Sequence, residues 1–273
     1  MYWILRSFLP PGLDVTRLAT QLPGHSVAMT FVMGVPKTTH RKAPRSADSS
    51  CLLCAESSFG PFTGVSPKTA RSMDDGRAAC RYKRGQILFQ EGNPPHGVFC
   101  VRRGLVKLLR HGRDGVEHIV GLAGPGDLVG HSAHLTEGSL DHGAEAATEL
   151  EVCHLTDAAY RSALVKEPGL LKHAAAAVAR ELGEMRNRWI ERSEKTVPER
   201  LLELLLRLPR KKKDGALFVE VPLSRQELAS YLGTAPETVM RGLKKLADSG
   251  CIANHGRTIR LMVEDLEEAA SRV

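Results

Sequence analysis

LSRQELASYLGTAPETVMRGLKKLADSGCIANHGRTIR, residues 223–260, reads as two short capped helices followed by a small β-hairpin. Ser224 stands three residues before Glu227, and Thr234 three residues before Glu237. Each pair has the capping-box pattern, in which hydroxyl and carboxylate satisfy each other's free backbone N–H groups. Gly233 falls between the helices, where a tight turn needs a residue tolerant of positive φ. The second helix is expected to bury Val239, Leu243 and Leu246, leaving Glu237, Arg241 and Lys245 along the opposite face. This is the outline of a helix-turn-helix, whose second helix enters the major groove of DNA.

Charge agrees with that outline only in part. The formal net charge is +7. Residues 1–50 carry six Lys/Arg against two Asp, so much of the excess lies in an N-terminal tail. Residues 223–262 hold six Lys/Arg against three Asp/Glu, a local excess suited to phosphate contact. The run Arg210-Lys211-Lys212-Lys213 is read as a solvated loop rather than a dedicated nucleic-acid patch.

At 273 residues the chain is long enough for two domains, each able to bury a core. No apolar run approaches the roughly 18 residues needed to span a bilayer. The N-terminus lacks a basic segment ahead of its apolar stretch, and Pro10-Pro11 interrupts it. It is read as neither signal peptide nor anchor, so a cytoplasmic location is expected. Six Cys in such a chain do not form a disulfide scaffold. Residues 1–50 are rich in Ser, Thr, Pro and basic residues without periodicity, and are expected to be disordered. Met29 and Met33 are candidate alternative starts.

From about Ala79 to Leu155 the pattern changes to short runs of β-formers separated by glycine turns. Ile87 and Phe89 alternate with Leu88 and Gln90; Val98–Val101 and Gly104–Leu109 read as strands. Asp114-Gly115 is a hairpin signal before Val116–Leu122, and Gly124-Pro125-Gly126-Asp127 makes a further turn. Many short strands at this spacing indicate a β-barrel or β-roll. A long helix follows, in which Leu171, Ala175, Val178, Leu182, Met185 and Trp189 recur at alternating steps of four and three. A 3.5-residue repeat is a coiled-coil seam, and a dimer contact is preferred to a helix buried within the domain. Two recognition helices about 34 Å apart would read two half-sites of a palindromic operator. Thr196-Val197-Pro198 then breaks the helix and forms a hinge.

The expected fold class is therefore α+β. The segments are a tail (residues 1–50), a Cys-bearing segment with a β-roll (51–163), a dimerisation helix (164–195) and a winged helix-turn-helix (196–273). A β-roll, a dimer helix and a winged helix-turn-helix, in that order, resemble the Crp/Fnr superfamily of bacterial transcription regulators. The motifs carrying the resemblance in the roll are Arg84-Gly85-Gln86-Ile87-Leu88-Phe89, Gly104-Leu105-Val106-Lys107 and Gly126-Asp127-Leu128-Val129-Gly130. Those in the DNA-binding part are Leu223–Ala229, Glu237-Thr238-Val239-Met240-Arg241 and the wing His255–Arg260. The resemblance implies a cyclic-nucleotide-binding-like roll, double-stranded DNA and RNA polymerase as partners, and base reading by Glu237 and Arg241. Arginine suits the O6/N7 pair of guanine and glutamate the amino group of cytosine. The competing reading of Glu237 and Arg241 is an intrahelical ion pair, worth only about 0.3–0.5 kcal/mol. Arg225, Thr234, Thr238, Lys244, Lys245 and Arg257 are expected at the phosphates. Pro236 and Met240 depart from the family's reading face, so the operator is expected to be related to the known ones without matching them.

Three kinds of signal are open. Cyclic-nucleotide binders of the family carry a Glu just after the Gly126–Gly130 strand and an Arg-Ser pair that grips the cyclic phosphate. Here those places hold His131 and Asp141-His142, and an Asp repels the phosphate; cyclic AMP is not expected. An iron–sulfur cluster of the [4Fe-4S] type, as in Fnr oxygen sensors, is usually held by four Cys thiolates. The resemblance places Cys51, Cys54 and Cys153 among its ligands, but the third N-terminal cysteine is replaced by Gly60. A non-Cys ligand, or Cys80 or Cys100, would have to complete it, although both read more simply as small buried hydrophobes. Third come a thiol switch through a local Cys51–Cys54 disulfide, zinc held by these two with Cys153 and a histidine such as His154, or haem at His131, His134 and His142. No nucleophile–base pair or phosphate-cradling loop points to an enzyme. The alternative from a different class is a cyclic-nucleotide-responsive regulatory subunit, which needs the missing phosphate-binding Arg and no recognition helix.

Overall fold

The computed structural model describes residues 50–51, 60–208, 210–213, 216–255 and 258–263. The expected disorder of the tail and the residues Cys54 and Arg257 lie outside them. In chain order the elements are α1 (Pro67–Asp74), β1 (Arg77–Tyr82), β2 (Ile87–Phe89), β3 (Gly97–Arg103), β4 (Val106–His111), β5 (Glu117–Ala123), β6 (Leu128–Val129), α2 (Ser132–Thr136), β7 (Gly143–Ala146) and β8 (Leu150–Thr156). Then come α3 (Asp157–Lys166), α4 (Pro168–Glu194), α5 (Val197–Arg207), β9 (Arg210–Lys213), β10 (Ala216–Glu220), α6 (Arg225–Leu232), α7 (Pro236–Asp248), β11 (Ile252–His255) and β12 (Thr258–Leu261).

The expected roll forms from two four-stranded antiparallel sheets, ordered β1-β8-β3-β6 and β2-β7-β4-β5. Their inner faces share a core of Leu88, Phe99, Val101, Val106, Val129, Leu150 and Val152. Residue alternation sends the other face of β3 and β8 to a second cluster, where Val98, Cys100, Cys153 and Leu155 pack beneath Met73 of α1, Tyr160 of α3 and Leu170 of α4. The chain enters β4 through Gly104, at φ 94°, where a β-carbon would come within 2.3 Å of the Glu149 carbonyl oxygen. Only glycine fits that corner.

Leu105, Lys107 and Leu109 point away from the roll's interior, and all three are buried. Together with Ile119 of β5, Leu105 and Leu109 join Leu228, Leu232, Val239 and Leu243 of the helix-turn-helix in a single core. Polar contacts frame this seam. Lys107 Nζ lies 2.7 Å from Glu145 Oε1 and 2.5 Å from Glu227 Oε1. The Ile119 amide donates to Ser230 Oγ at 2.9 Å, and Arg84 donates to the Pro222 carbonyl at 2.7 Å.

The long helix runs from Pro168 to Glu194. The expected start at residue 164 is corrected: Leu164–Lys166 finish α3, and Glu167 turns the chain into an extended conformation before Pro168 opens α4. Proline is favoured at a first helical position and disfavours helical backbone in the residue before it. Lys195 is again extended, and Thr196 caps α5 through a capping box with Glu199. The expected break at Thr196-Val197-Pro198 is therefore where one helix passes to the next.

Residues 210–213 are a strand, not the expected loop. They pair antiparallel with Ala216–Val219, and the sheet continues through β12 to β11, so the wing is four-stranded. Four consecutive cations show no apolar alternation, and it is the backbone partner that orders them. A lysine-rich edge also discourages further strand pairing.

Candidate nucleic-acid interface and signal-receiving thiols

The reading head is built as the first of the two caps predicts. Ser224 Oγ accepts from the Glu227 amide at 3.2 Å while Glu227 Oε2 accepts from the Ser224 amide at 2.7 Å. Gly233 adopts the left-handed conformation, φ 64° and ψ 51°. Its amide donates to Ser230, and the Thr234 amide reaches back to the Ala229 carbonyl at 3.0 Å. These bonds are the helix ending known as the Schellman motif. The second expected capping box does not form. Pro236 takes the first helical position, which makes Ala235 the cap residue, and no side chain caps α7. Thr234 is one residue too early and belongs to the turn.

Val239, Leu243 and Leu246 are buried as expected, while Glu237, Met240, Arg241, Lys244 and Lys245 are exposed on α7. Glu237 and Arg241 stand one helical turn apart, a rise of about 6 Å. Among the described residues they do not pair with each other; Arg241 Nη2 instead donates to Thr238 Oγ1 at 3.1 Å. Both charged tips are therefore available to a groove. Thr234 is half-buried in the turn, and Arg225, at the start of α6, is half-buried. The basic face is concentrated on α7.

On the far side of the roll, Cys51 and Cys153 meet. Cys51 is 2% and Cys153 6% exposed, and their thiols are hydrogen-bonded to each other. Asp74, the last residue of α1, fixes the first: its Oδ1 accepts from the Cys51 amide at 2.8 Å and its Oδ2 from Ser50 Oγ at 2.6 Å. Asp74 Oδ1 also takes Arg77 Nε at 2.9 Å, which aims Arg77 Nη1 at Cys153 Sγ, 3.9 Å away. The hydrogen bond from Cys51 draws the Cys153 thiol down to about 7 against the opposing effect of burial, with the Arg77 charge assisting. Cys51 is pushed up, chiefly because it is the donor to Cys153. The pair is an asymmetric dithiol in which Cys153 is the acidic member.

Of the other strand cysteines, Cys100 lies directly opposite Cys153 in the β3–β8 register and shares its cluster. Cys80 packs into the inner core of the roll, and its thiol is raised by burial. Among the described residues no three His, Cys, Asp or Glu side chains converge on a metal-sized centre. The described residues thus bring together two of the three cysteines expected at a cluster and do not complete one.

The histidines expected at haem are each engaged with other groups. His134 Nδ1 contacts Asp157 Oδ1 at 3.0 Å and its ring meets Tyr160 edge-on. His142 is held by Asp141 at 2.8 Å. His131 is 2% exposed, and burial lowers its pKa to about 4. Its Nε2 lies 3.7 Å from Glu181 Oε1 of α4, too long for a hydrogen bond. His154 stacks on Phe99, with centroids 4.6 Å apart. Where a cyclic phosphate would need a cation, Asp141 instead accepts from Ser132 Oγ at 3.2 Å and engages His142.

Sequence reasoning passed over Lys107, Arg77 and Glu181. Lys107 had a signal: it lies between Leu105 and Leu109 on a strand whose opposite face, Val106 and Leu108, is also apolar. A strand apolar on both faces is covered on both.

Comparison with known proteins agrees with this architecture. The cyclic nucleotide-binding domain family matches residues 79–167, and the Crp-like helix-turn-helix domain family matches residues 199–269. The transcriptional activator protein Anr of Pseudomonas aeruginosa is 30% identical over 183 residues, covering 66% of this chain and 75% of its own length. The CRP-like cAMP-activated global transcriptional regulator of Mycobacterium tuberculosis is 28% identical over 216 residues, covering 78% and 96%. The structure of FixK2 from Bradyrhizobium japonicum superposes with a TM-score of 0.59 at 26% identity, over 69% of this chain and 93% of that one. With a roll docked on a winged helix-turn-helix, and relatives that are regulators rather than enzymes, the chain belongs to the Crp/Fnr family of DNA-binding transcription regulators.

Proposed function

We propose that this regulator acts as a homodimer on a palindromic operator, and that its DNA affinity is set by the redox state of the Cys51–Cys153 dithiol. The observation that carries the signal is the meeting of these two thiols beside Arg77. With a peroxide as oxidant, the Cys153 thiolate attacks one oxygen and releases the other as water once protonated, leaving a sulfenic acid. The Cys51 thiol then attacks that sulfur, a second water leaves, and a disulfide remains. Because Cys51 is tied through Asp74 to α1, and Leu170 of α4 packs in the same cluster, the cross-link acts on the start of the long helix. Dimerisation is supported by the seam: Leu171, Leu182, Met185 and Trp189 are all exposed, Trp189 by 75%. A dimer would cover this stripe and set the spacing of the two α7 helices.

A second reading, a [4Fe-4S] cluster, has one observation in its favour: the segment carrying Cys51 reaches the end of the roll at Cys153, as the family resemblance requires. Cys54 would be its next ligand. Anaerobic purification with an absorption spectrum and iron, sulfide and zinc analysis separates the two. The dithiol reading expects colourless, metal-free protein whose operator affinity changes on peroxide treatment, together with a Cys51–Cys153 cross-linked peptide in mass spectrometry. Stoichiometric iron and sulfide would replace it with the cluster; identical DNA binding before and after peroxide would sink it. Trp189→Glu should convert the dimer to monomer in sedimentation and abolish binding to the paired half-sites.

A further inference from the structure

Where the end of α4 meets α5 and the end of α6 there is a cavity of about 30 Å³, half open to solvent. Its lining includes Arg188, Arg192, Arg200 and Arg207 together with Glu191 and Glu203. The carboxylates are already engaged. Lys195 hydrogen-bonds Glu203 and lies 3.5 Å from Glu191, and Arg207 Nη2 stands 3.7 Å from Glu191. Among the described residues no carboxylate pairs with Arg188, Arg192 or Arg200. Arg188 is held by the Val120 carbonyl at 2.8 Å and lies over the Tyr231 ring at 5.4 Å.

Arg200 donates from Nη1 to the Leu232 carbonyl at 2.6 Å, but its buried Nε has no hydrogen-bond partner. Burial, and then the like charge of Arg192, hold the Arg200 pKa below the usual guanidinium value. Arg192 lies against the turn of the reading head, so closely that a β-carbon on Gly233 would come within 2.5 Å of its guanidinium. Arg192 and Arg200 thus face one small cavity whose two carboxylates are engaged by Lys195 and Arg207, and one buried donor is unused. A buried unmatched donor is costly, and a small anion would satisfy it.

We infer that this cavity is an oxyanion site for a phosphate group, free or carried by a small phosphate monoester. A cavity of this size has room for more than one water, enough to admit phosphoryl oxygens with the rest of the group at the mouth. The planar guanidinium fork suits phosphate oxygens better than it suits a spherical ion. A bound phosphate would tie α4 and α5 to the Gly233 turn, giving the head an input separate from the thiols.

The test is a calorimetric titration of the full chain in low-salt zwitterionic buffer with inorganic phosphate, glycerol phosphate and chloride. Saturable binding of one phosphate or one monoester per chain is expected, and the arm that binds identifies the source. Arg192→Gln, and the charge-conserving Arg200→Lys, should each weaken it about tenfold or more, because each removes a charge-assisted bond. Lys244→Gln, on the DNA face, should leave it unchanged. Absence of saturable binding in both phosphate arms, equal affinity for chloride, or unchanged affinity in both arginine variants would overturn the assignment. Loss of binding in Lys244→Gln would overturn it too, by placing the ion at the DNA interface.

Discussion

Lys107 of β4 and Glu227 of α6 form an ion pair at 2.5 Å across the seam between roll and reading head. Lys107 is 6% exposed and also holds Glu145, while the other oxygen of Glu227 closes the cap of α6. Lys107→Met should remove the shared cation and leave two carboxylates facing each other. A loss of about 2–3 kcal/mol is expected in urea unfolding, below the cost of a fully dry pair because both carboxylates retain some solvent. A change within error would show that the pair contributes no net stability.

The two Ser/Thr–Glu pairs of the head should separate cleanly. Ser224→Ala removes a formed cap and should cost about 1 kcal/mol. Thr234→Ala removes a hydroxyl that caps nothing and should lie within about 0.5 kcal/mol of the parent. Equal losses would restore the second capping box.

On DNA, Arg241→Ala should cost roughly 1–3 kcal/mol and relax preference at one base position. Lys244→Ala should weaken all sequences alike and reduce the salt slope by about one. Competition binding against a randomised operator library, at two salt concentrations, distinguishes these outcomes. Uniform weakening by Arg241→Ala would remove its base-reading role.

Acid should act through His131. Its pKa is lowered from the ordinary 6.5 to about 4 by burial, so the folded state holds the ring neutral. A depressed folded-state pKa means this stability is complete above the unfolded value and is lost as pH falls through the folded one. Stability should therefore decline between pH 6.5 and about 4 with a contribution approaching 1.4 kcal/mol per pH unit. His131→Gln should flatten that limb. Asp141, drawn down to about 2 chiefly by its hydrogen bond with His142, loses its contribution only at lower pH.

The order of the elements was legible because local chemistry and global fold agree over most of the chain. Ser224, Gly233 and the Val239-Leu243-Leu246 stripe each specify the head independently. Three features were not legible, for different physical reasons. Residues 210–213 are ordered by a partner strand rather than by their own pattern. Thr234 lost its capping role to Pro236, whose fixed φ sets the first residue of α7. The resemblance brought Cys51 and Cys153 to one site as cluster ligands, but their direct pairing, about a hundred positions apart, was not legible, because spacing says nothing about which of several strand cysteines faces a given side. Burial phase settles that: Cys100 shares the outer face with Cys153, and Cys80 does not.

Strand β4 with Leu105 just before it contributes alternate side chains to two different interiors, Val106 to the roll and Leu105 and Leu109 to the reading head. It behaves as a party wall, so neither half can melt without stripping one side of it. Calorimetry should accordingly find one cooperative endotherm for both halves. A sensor half expressed alone would show water a greasy strip around Lys107, and would be prone to self-association that the intact chain avoids.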